Sequence, residues 1–326
     1  MLACNGRRGE RRRRPDLANA PDGYALQPEA PNAARIFDRA LLRRRRERHA
    51  AGAGAHDFLL RRVSEDLAER LAIVRRTFPL AVNLGAYNGA VSDAIRGLGG
   101  VERIINVESS PSLLAQCEGL RVVADEEALP FADGSIDLVV SGLALQLVND
   151  LPGTLIQIRR ALKPDGLLLA SLLGGETLKE LRQAWIEAET EVAGGVSPRV
   201  APFADVRDAG ALLQRAGFAL PVVDSDTVTV TYATPFHLMQ ELKAMGASNM
   251  LASRRRQPVT RRLLQRAAAI YAERFAAADG RVVATFEILN LTAWAPDASQ
   301  PKPLKPGSAQ TRLADALGVS ERKLGE

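Results

Sequence analysis

Cysteine is nearly missing from this chain, with only Cys4 and Cys117 among 326 residues. The two stand far apart and in no metal-ligand spacing. Neither a disulfide framework nor a zinc site is expected, and a reducing compartment fits. Histidine is almost as scarce: His49, His56 and His237 are too scattered for a metal cluster. The 2-His-1-carboxylate pattern of non-haem iron oxygenases is absent, so no metal is expected. Long apolar runs are missing as well. The longest near the core, residues 167–173, is strand-sized against the ~20 residues of a membrane span. Outside one end, excess charge is missing too. Residues 1–14 hold six arginines and one glutamate, which accounts for the whole formal net charge of +5. The rest of the chain is formally neutral, which argues against a folded nucleic-acid-binding surface.

What is present is ordinary for a globular protein: 46% hydrophobic and 25% charged residues. Residues 1–31 read as a disordered basic tail. An arginine-rich targeting segment is the competing reading, but Pro15, Pro21, Pro28 and Pro31 would break its amphipathic helix. Residues 32–76 read as an N-terminal helical segment. Asn32 is a candidate N-cap ahead of Ile36, Phe37, Ala40 and Leu41. The run Arg43–Arg46 reads as a solvated helix face, and the segment AAGAGA (50–55) interrupts the helix. A second amphipathic helix over 56–75 has Phe58, Leu59, Val63, Leu67, Leu71 and Val74 as its apolar face.

At residue 77 the period changes. Strands are expected at 78–84, 103–107, 121–124, 136–141 and 167–173, with helices at 90–98, 111–118 and 151–162 between them and a KPDG turn at 163–166. This alternation implies a doubly wound, mostly parallel α/β sheet covered on both faces. A helix at 205–217 and β-rich runs at 222–232 and 282–294 complete a domain over 77–295. The last two runs are expected to pair antiparallel, closing a seven-stranded sheet. Between them lies a helical insertion, 235–278, with a break at 245–249. Residues 296–326 read as a flexible tail with a short helix near 310–317.

Four motifs carry chemistry. The first, AVNLGAYNGAVSDAI (81–95), is a buried strand running into a glycine turn and a helix. It offers backbone close approach at Asn83, Gly85, Ala86 and Gly89. It is not the G-x-G-x-x-G of dinucleotide enzymes. The second is Glu108, with Ser109 beside it, at the end of the second strand and 23 residues after Gly85. A carboxylate there can accept both ribose hydroxyls. The third is ADEEALPF (124–131), where Asp125 or Glu126 can accept the adenine amine and Leu129 and Phe131 supply packing. The fourth is residues 135–169, whose strand delivers Ser141–Gln146, including Leu143, to the carboxyl end of the sheet, where ligands bind in open α/β folds.

These pieces, in this order, resemble the class I S-adenosylmethionine (SAM) methyltransferases. The segments IFDRALLRRRRER (36–48), LLGGETLKELR (172–182), AETEVAGGVSPRVAPFADVRDAGALLQRAGF (188–218) and LMQELKAMGASN (238–249) are similar to those of the mitochondrial complex I assembly-factor methyltransferase-like proteins and their bacterial homologues. The core is more distantly similar to the malonyl-acyl-carrier-protein methyltransferases of biotin synthesis. The first resemblance covers about residues 33–310. It implies SAM as cofactor and a protein substrate in respiratory complex I, an iron–sulfur subunit whose arginine the animal member hydroxylates. It implies no nucleic-acid partner and no transmembrane segment, with membrane association only peripheral, through the complex. Localisation would be cytoplasmic in a bacterium and the mitochondrial matrix in a eukaryote.

The chain departs from that family pattern at three places. Asn83 stands where Asp is usual, Tyr87 occupies the middle of the glycine turn, and Gln146-Leu147 replaces His-Trp after the fourth strand. Without that histidine no ring base is expected at the reacting centre. The catalytic residues stay unknown, with Tyr87, Gln146 and Asn149 as pocket candidates. The alternatives to protein modification are a non-catalytic SAM-fold assembly chaperone and a carboxylate methyltransferase acting on an acyl-carrier substrate. Met239, Met245 and Met250, with Arg254–Arg256, are expected to make the insertion a protein-docking surface.

Overall fold

The computed structural model describes residues 35–301 together with 308, 315 and 318. The expected basic tail at 1–31, the N-cap at Asn32 and most of the short helix near 310–317 lie outside the described residues.

The first helix, α1 (Arg39–His49), is capped by Asp38, whose carboxylate accepts from the Leu41 amide. A short 3-10 stretch, Ala50–Ala55, takes the AAGAGA segment, and α2 (Phe58–Ala72) follows. Leu59, Leu60, Val63, Leu67 and Leu71 of α2 are buried. Their helical spacing lets one stripe of α2 cover the sheet.

The sheet has seven strands in the order β3-β2-β1-β4-β5-β7-β6. β1 (Leu80–Leu84), β2 (Arg103–Glu108), β3 (Leu120–Val123), β4 (Ile136–Gly142) and β5 (Leu162–Leu173) run parallel. β6 (Ala219–Tyr232) and β7 (Val282–Trp294) are antiparallel to each other, and β7 is antiparallel to β5. β7 therefore enters between β5 and β6, as a late strand does when its partner strand came before it. After β3 the chain crosses β1 to lay down β4. This reversal opens a crevice at the carboxyl ends of β1 and β4, the place where such sheets bind ligands.

Alternation along the strands divides the core in two. Ala81, Leu138 and Leu167 sit in register and face α2, α3 (Ala90–Ile95), α6 (Lys179–Ala193) and α9 (Arg261–Phe275). Val82, Val139 and Leu168 face α5 (Leu151–Ala161) and α7 (Val206–Arg215). Both faces are apolar, as burial between helical layers requires.

Two expectations need correction. The KPDG segment does not precede the strand but lies inside β5, as a register shift against β4 between Ile136 and Leu138, with Asp165 at φ 58°. The insertion is broken for longer than expected: α8 (Pro235–Ala244) and α9 are separated by irregular chain at 245–260. That chain is held by tertiary contacts, chiefly to the residues leading into α1. No helix among the described residues is long and apolar enough to cross a membrane.

Candidate functional site

The glycine turn after β1 is tied down from both sides. The amides of Gly85 and Ala86 both donate to Val107 O of β2 at 2.9 Å. Gly85 has φ 71°, and a Cβ there would stand 2.1 Å from Ala144 Cβ. Only glycine lets the β4–α5 loop come this close. Tyr87 turns the chain at φ 50° and lines the cavity beyond; its amide reaches Glu108 Oε2 at 3.2 Å. Gly89, at φ 89°, caps α3 against Cys117.

Glu108 ends β2 fully buried. Its carboxylate accepts from Ser109 Oγ and the Ser110 amide, each at 3.0 Å. It also accepts from Arg46 Nη1, at 3.1 and 3.3 Å. The same Arg46 Nη1 donates to Glu126 Oε1 at 3.2 Å. Arg39 donates to Asp125 Oδ1 at 2.6 Å, to Leu147 O at 3.1 Å, and to the other oxygen of Glu126. Arg39, Leu42 and Arg46 share one face of α1, because their spacing of three and four residues returns to the same side of a helix. That face closes the crevice at the ends of β1, β2 and β4.

Four arginines in a row therefore do not make one solvated face. Arg43 and Arg44 are exposed, but Arg46 is 6% exposed, which is tolerable only because two carboxylates meet its guanidinium. Burial alone would raise the carboxyl of Glu126. Arg46 and Arg39 outweigh that effect and hold it below the ordinary value of 4.5. A carboxyl lowered in the folded chain contributes stability that is complete above its unfolded value. That contribution disappears as pH falls through the folded value. Melting temperatures measured from pH 7 to pH 3 should drop for the wild type and drop less for Glu126→Gln. Parallel curves would remove this residue as a source of acid sensitivity.

A cavity of about 370 Å³ opens between the glycine turn and the insertion. Gly85, Tyr87, Gly142 and Leu143 form its sheet side, and Met239, Leu242 and residues 245–251 form its roof. Leu59, Trp185, Phe203 and Phe286 make most of the remaining wall apolar. The polar groups at its edge are already engaged. Asp57 accepts from Asn88 and from Arg61, both at 2.7 Å. His56 Nδ1 lies 3.2 Å from Glu241. Arg199 stacks 4.9 Å over the Trp185 ring and bonds to Glu189. Among the described residues, no group of three His, Cys, Asp or Glu is placed to hold a metal ion.

The structure brings together Gly85, Ala86, Tyr87, Gly89, Glu108, Ser109, Asp125, Glu126 and Leu143 at one end of the sheet. It places four other expected residues elsewhere. Asn83 Nδ2 donates to Ser92 of α3 and Asn106 of β2, fastening strand to helix. Ser141 Oγ donates to Leu84 O, joining β4 to β1. Asn149 brackets the backbone of Phe37, accepting from its amide at 2.7 Å and donating to its carbonyl at 3.2 Å. Gln146 donates to Leu143 O, and its Oε1 is buried without a partner. Of the three pocket candidates, only Tyr87 lines the cavity. Burial pushes its phenol up, so it is a hydrogen-bond donor at neutral pH, with Met245 O 3.4 Å away.

The insertion also differs from its expected role. Met250 is buried and Met239 and Met245 face the cavity, so the methionines pack inward. Arg254 pairs with Asp38 at 3.1 Å and caps Leu251 O at 2.8 Å, leaving only Arg255 and Arg256 of that run exposed. Sequence reasoning missed Arg39 and Arg46 as site residues. Their spacing around Leu42 was the available signal.

The donor set fits an adenosyl cofactor. Buried Glu108 suits two vicinal hydroxyls, Asp125 and Glu126 suit an exocyclic amine, and the glycine turn admits a chain to the cavity. In this structure the arginines of α1 occupy Glu108 and Glu126.

Comparison with known proteins places these features. A methyltransferase-domain family matches residues 82–170. The chain is 40% identical over 297 residues to the mitochondrial arginine-hydroxylase NDUFAF5 of Danio rerio, covering 88% of this chain and 91% of that protein. The Homo sapiens NDUFAF5 is 39% identical over 88% of this chain and 84% of its own length. A malonyl-[acyl-carrier protein] O-methyltransferase of Halorhodospira halophila is 36% identical, covering 81% of this chain and 90% of that one. Among solved structures, phosphoethanolamine N-methyltransferase 2 of Haemonchus contortus, crystallised with S-adenosylhomocysteine, superposes with TM-score 0.51 at 15% identity, covering 78% of this chain and 60% of that one. The YcgJ protein of Bacillus subtilis also gives TM-score 0.51, at 14% identity over 72% of this chain and 98% of that one. The fold is thus that of the class I SAM-dependent methyltransferases, and the chain belongs to the NDUFAF5 arginine-hydroxylase family of enzymes.

Proposed function

We propose that this enzyme binds SAM and modifies a protein side chain during assembly of respiratory complex I, the acceptor being an arginine of an iron–sulfur subunit. The continuity of the carboxylate-lined crevice with the roofed cavity supports the reading most directly. Tyr87 and Leu143 belong to the floor of both, so a group on the cofactor side faces a group entering under 245–251. Glu108 would take the ribose hydroxyls, with Ser109 and Tyr87 N fixing its carboxylate. Asp125, with Glu126, would take the adenine amine, and the turn from Gly85 through Ala86 to Gly89, with Leu143, would take the methionine end.

When bound, SAM supplies an electrophilic methyl group on a positively charged sulfur. The chain's own contribution is position and exclusion of water. Tyr87, as a phenol, donates and does not abstract a proton. Leu59, Leu242 and Phe286 keep the cavity dry. Alignment of the acceptor lowers the barrier, and a guanidinium nitrogen that takes the methyl group gives up its proton to solvent.

One observation favours a second reading. The cavity wall is apolar and its carboxylates are already paired, which suits an acyl-carrier-bound carboxylate better than an unaccompanied guanidinium. Mass spectrometry of complex I iron–sulfur subunits from cells with and without this protein separates the two. The first reading expects one arginine to lose a single added oxygen or methyl group when the protein is absent. Unchanged subunits, together with methyl-ester formation on a malonyl thioester by the purified chain, would replace it with the second.

A further inference from the structure

Arg39 and Arg46 stand where the hydroxyls and the amine of an adenosyl group would have to go. Every carboxylate assigned to that group is held by α1: Glu108 by Arg46, Asp125 by Arg39, and Glu126 by both. The pairs to Glu108 and Glu126 are not surface pairs that solvent would share, whereas Asp125 is half-exposed. Glu108 and Glu126 have side-chain exposures of 0% and 1%, and Arg46 of 7%. Both oxygens of Glu108 are already filled, Oε1 by Arg46, Ser109 Oγ and the Ser110 amide and Oε2 by Arg46 and the Tyr87 amide, so ribose hydroxyls must displace a donor to bind there. Leu42, between the two arginines on the same face, is buried as well, so lifting α1 as a piece withdraws all three side chains together.

α1 is also fastened to the cavity roof. Phe37 bridges Leu251, the Asp38 amide donates to Met250 O at 2.9 Å, and the Ala252 amide donates to Ile36 O at 2.8 Å. Arg45 donates to Asn249 O at 2.8 Å, and Asp38 pairs with Arg254. Phe37, Leu42, Met250 and Leu251 form a small apolar cluster of their own, apart from the two faces of the sheet. A separate cluster with its own hydrogen bonds is the kind of unit that opens as a piece.

We propose that α1 is a displaceable internal ligand of the cofactor site: binding of the adenosyl group expels Arg39 and Arg46 from Glu108, Asp125 and Glu126, and carries the roof segment 246–254 away with them. This rests on the assignment of Glu108 to the ribose. The exchange is feasible because the carboxylates are never left bare. Hydroxyls and an amine take over as the guanidinium groups move into water. Cofactor loading then opens the roof over the cavity, so the protein substrate gains entry only to a loaded enzyme. Apparent cofactor affinity is lowered by the fraction of molecules held closed.

Hydrogen–deuterium exchange of the full chain, with and without saturating S-adenosylhomocysteine, tests the displacement. Amides of residues 37–49 and 246–254 should exchange about tenfold faster when the ligand is bound, while those of 85–89 and 108–110 slow. Slower exchange in α1 would mean that it closes over the ligand with its arginines in place, and would overturn the proposal. Calorimetry gives the second readout. Arg46→Lys keeps a cation but loses the guanidinium whose Nη1 bridges the two carboxylates, so it should bind S-adenosylhomocysteine about tenfold more tightly. Unchanged or weaker binding would make Arg46 a bystander or a cofactor contact, and either overturns the gate. If Arg46→Lys does not fold, Arg39→Lys reads the same competition at Asp125. Glu108→Gln in the Arg46→Lys background tests the ribose assignment separately. Loss of affinity there upholds the assignment. No loss refutes it, and the exchange experiment then decides whether α1 moves.

Discussion

Arg46→Ala should cost the ligand-free fold about 3–5 kcal/mol, the usual penalty for removing one partner of a buried charge group. The reason lies in what remains more than in what is lost. Glu108 Oε1 and Glu126 Oε1 both lie within 3.2 Å of one guanidinium nitrogen, so without it two buried carboxylates face each other. Arg39 still holds Glu126, but among the described residues no other cation is bonded to Glu108. Each removed methylene of Arg46 also vacates space at the cavity edge. Urea unfolding at pH 7 measures the loss. Repeating it near pH 4.5 discriminates the cause, because a carboxyl without its cation protonates more readily and the penalty should shrink. A loss below about 1 kcal/mol at pH 7, or one that does not change with pH, would mean water already reaches these carboxylates.

That residue also marks where reading the sequence stops. A run of four arginines looks like a solvated stripe because nothing nearby answers it. The carboxylates that bury Arg46 lie 62 and 80 residues away. Asn149 is similar: it looked like a pocket group at the end of β4, yet its partner is the backbone of Phe37, 112 residues back. Local patterns fared better where the period itself is the cause of the structure. β7 runs over Val282–Trp294, the span of its β-rich run, and it pairs antiparallel with β6 as two long β-rich runs imply. α6 was legible and passed over. Leu181, Ala184, Trp185 and Ala188 recur at helical spacing and are all buried, but the glycine-rich flanks on either side obscure the helix. The KPDG segment misleads for a physical reason. Asp165 does turn the backbone, but β4 pairs with β5 both before and after it, so the strand absorbs the turn as a bulge.

Glu108→Ala is expected to weaken S-adenosylhomocysteine binding about 30-fold, or ~2 kcal/mol, through loss of a charge-assisted bidentate contact. The structure makes this a sharper test than sequence position alone, because the substitution has two opposed effects. It removes the acceptor for the ribose hydroxyls, and it removes one of the two anchors of Arg46, which weakens the competitor. The first effect should dominate, since Arg46 keeps Glu126 at 3.2 Å and α1 keeps its backbone bonds to the roof. Asp125→Asn isolates the other end of the cofactor. An amide oxygen can still accept from adenine, while the pairing with Arg39 at 2.6 Å loses its charge, so the net change there should be under about threefold. The order of effects is therefore the diagnostic quantity. If calorimetry finds Glu108→Ala binding as tightly as the wild type, the ribose does not sit at the end of β2. If instead Asp125→Asn proves the more damaging change, Asp125 contributes more to the site than its half-exposed position suggests, and the adenine end anchors the cofactor.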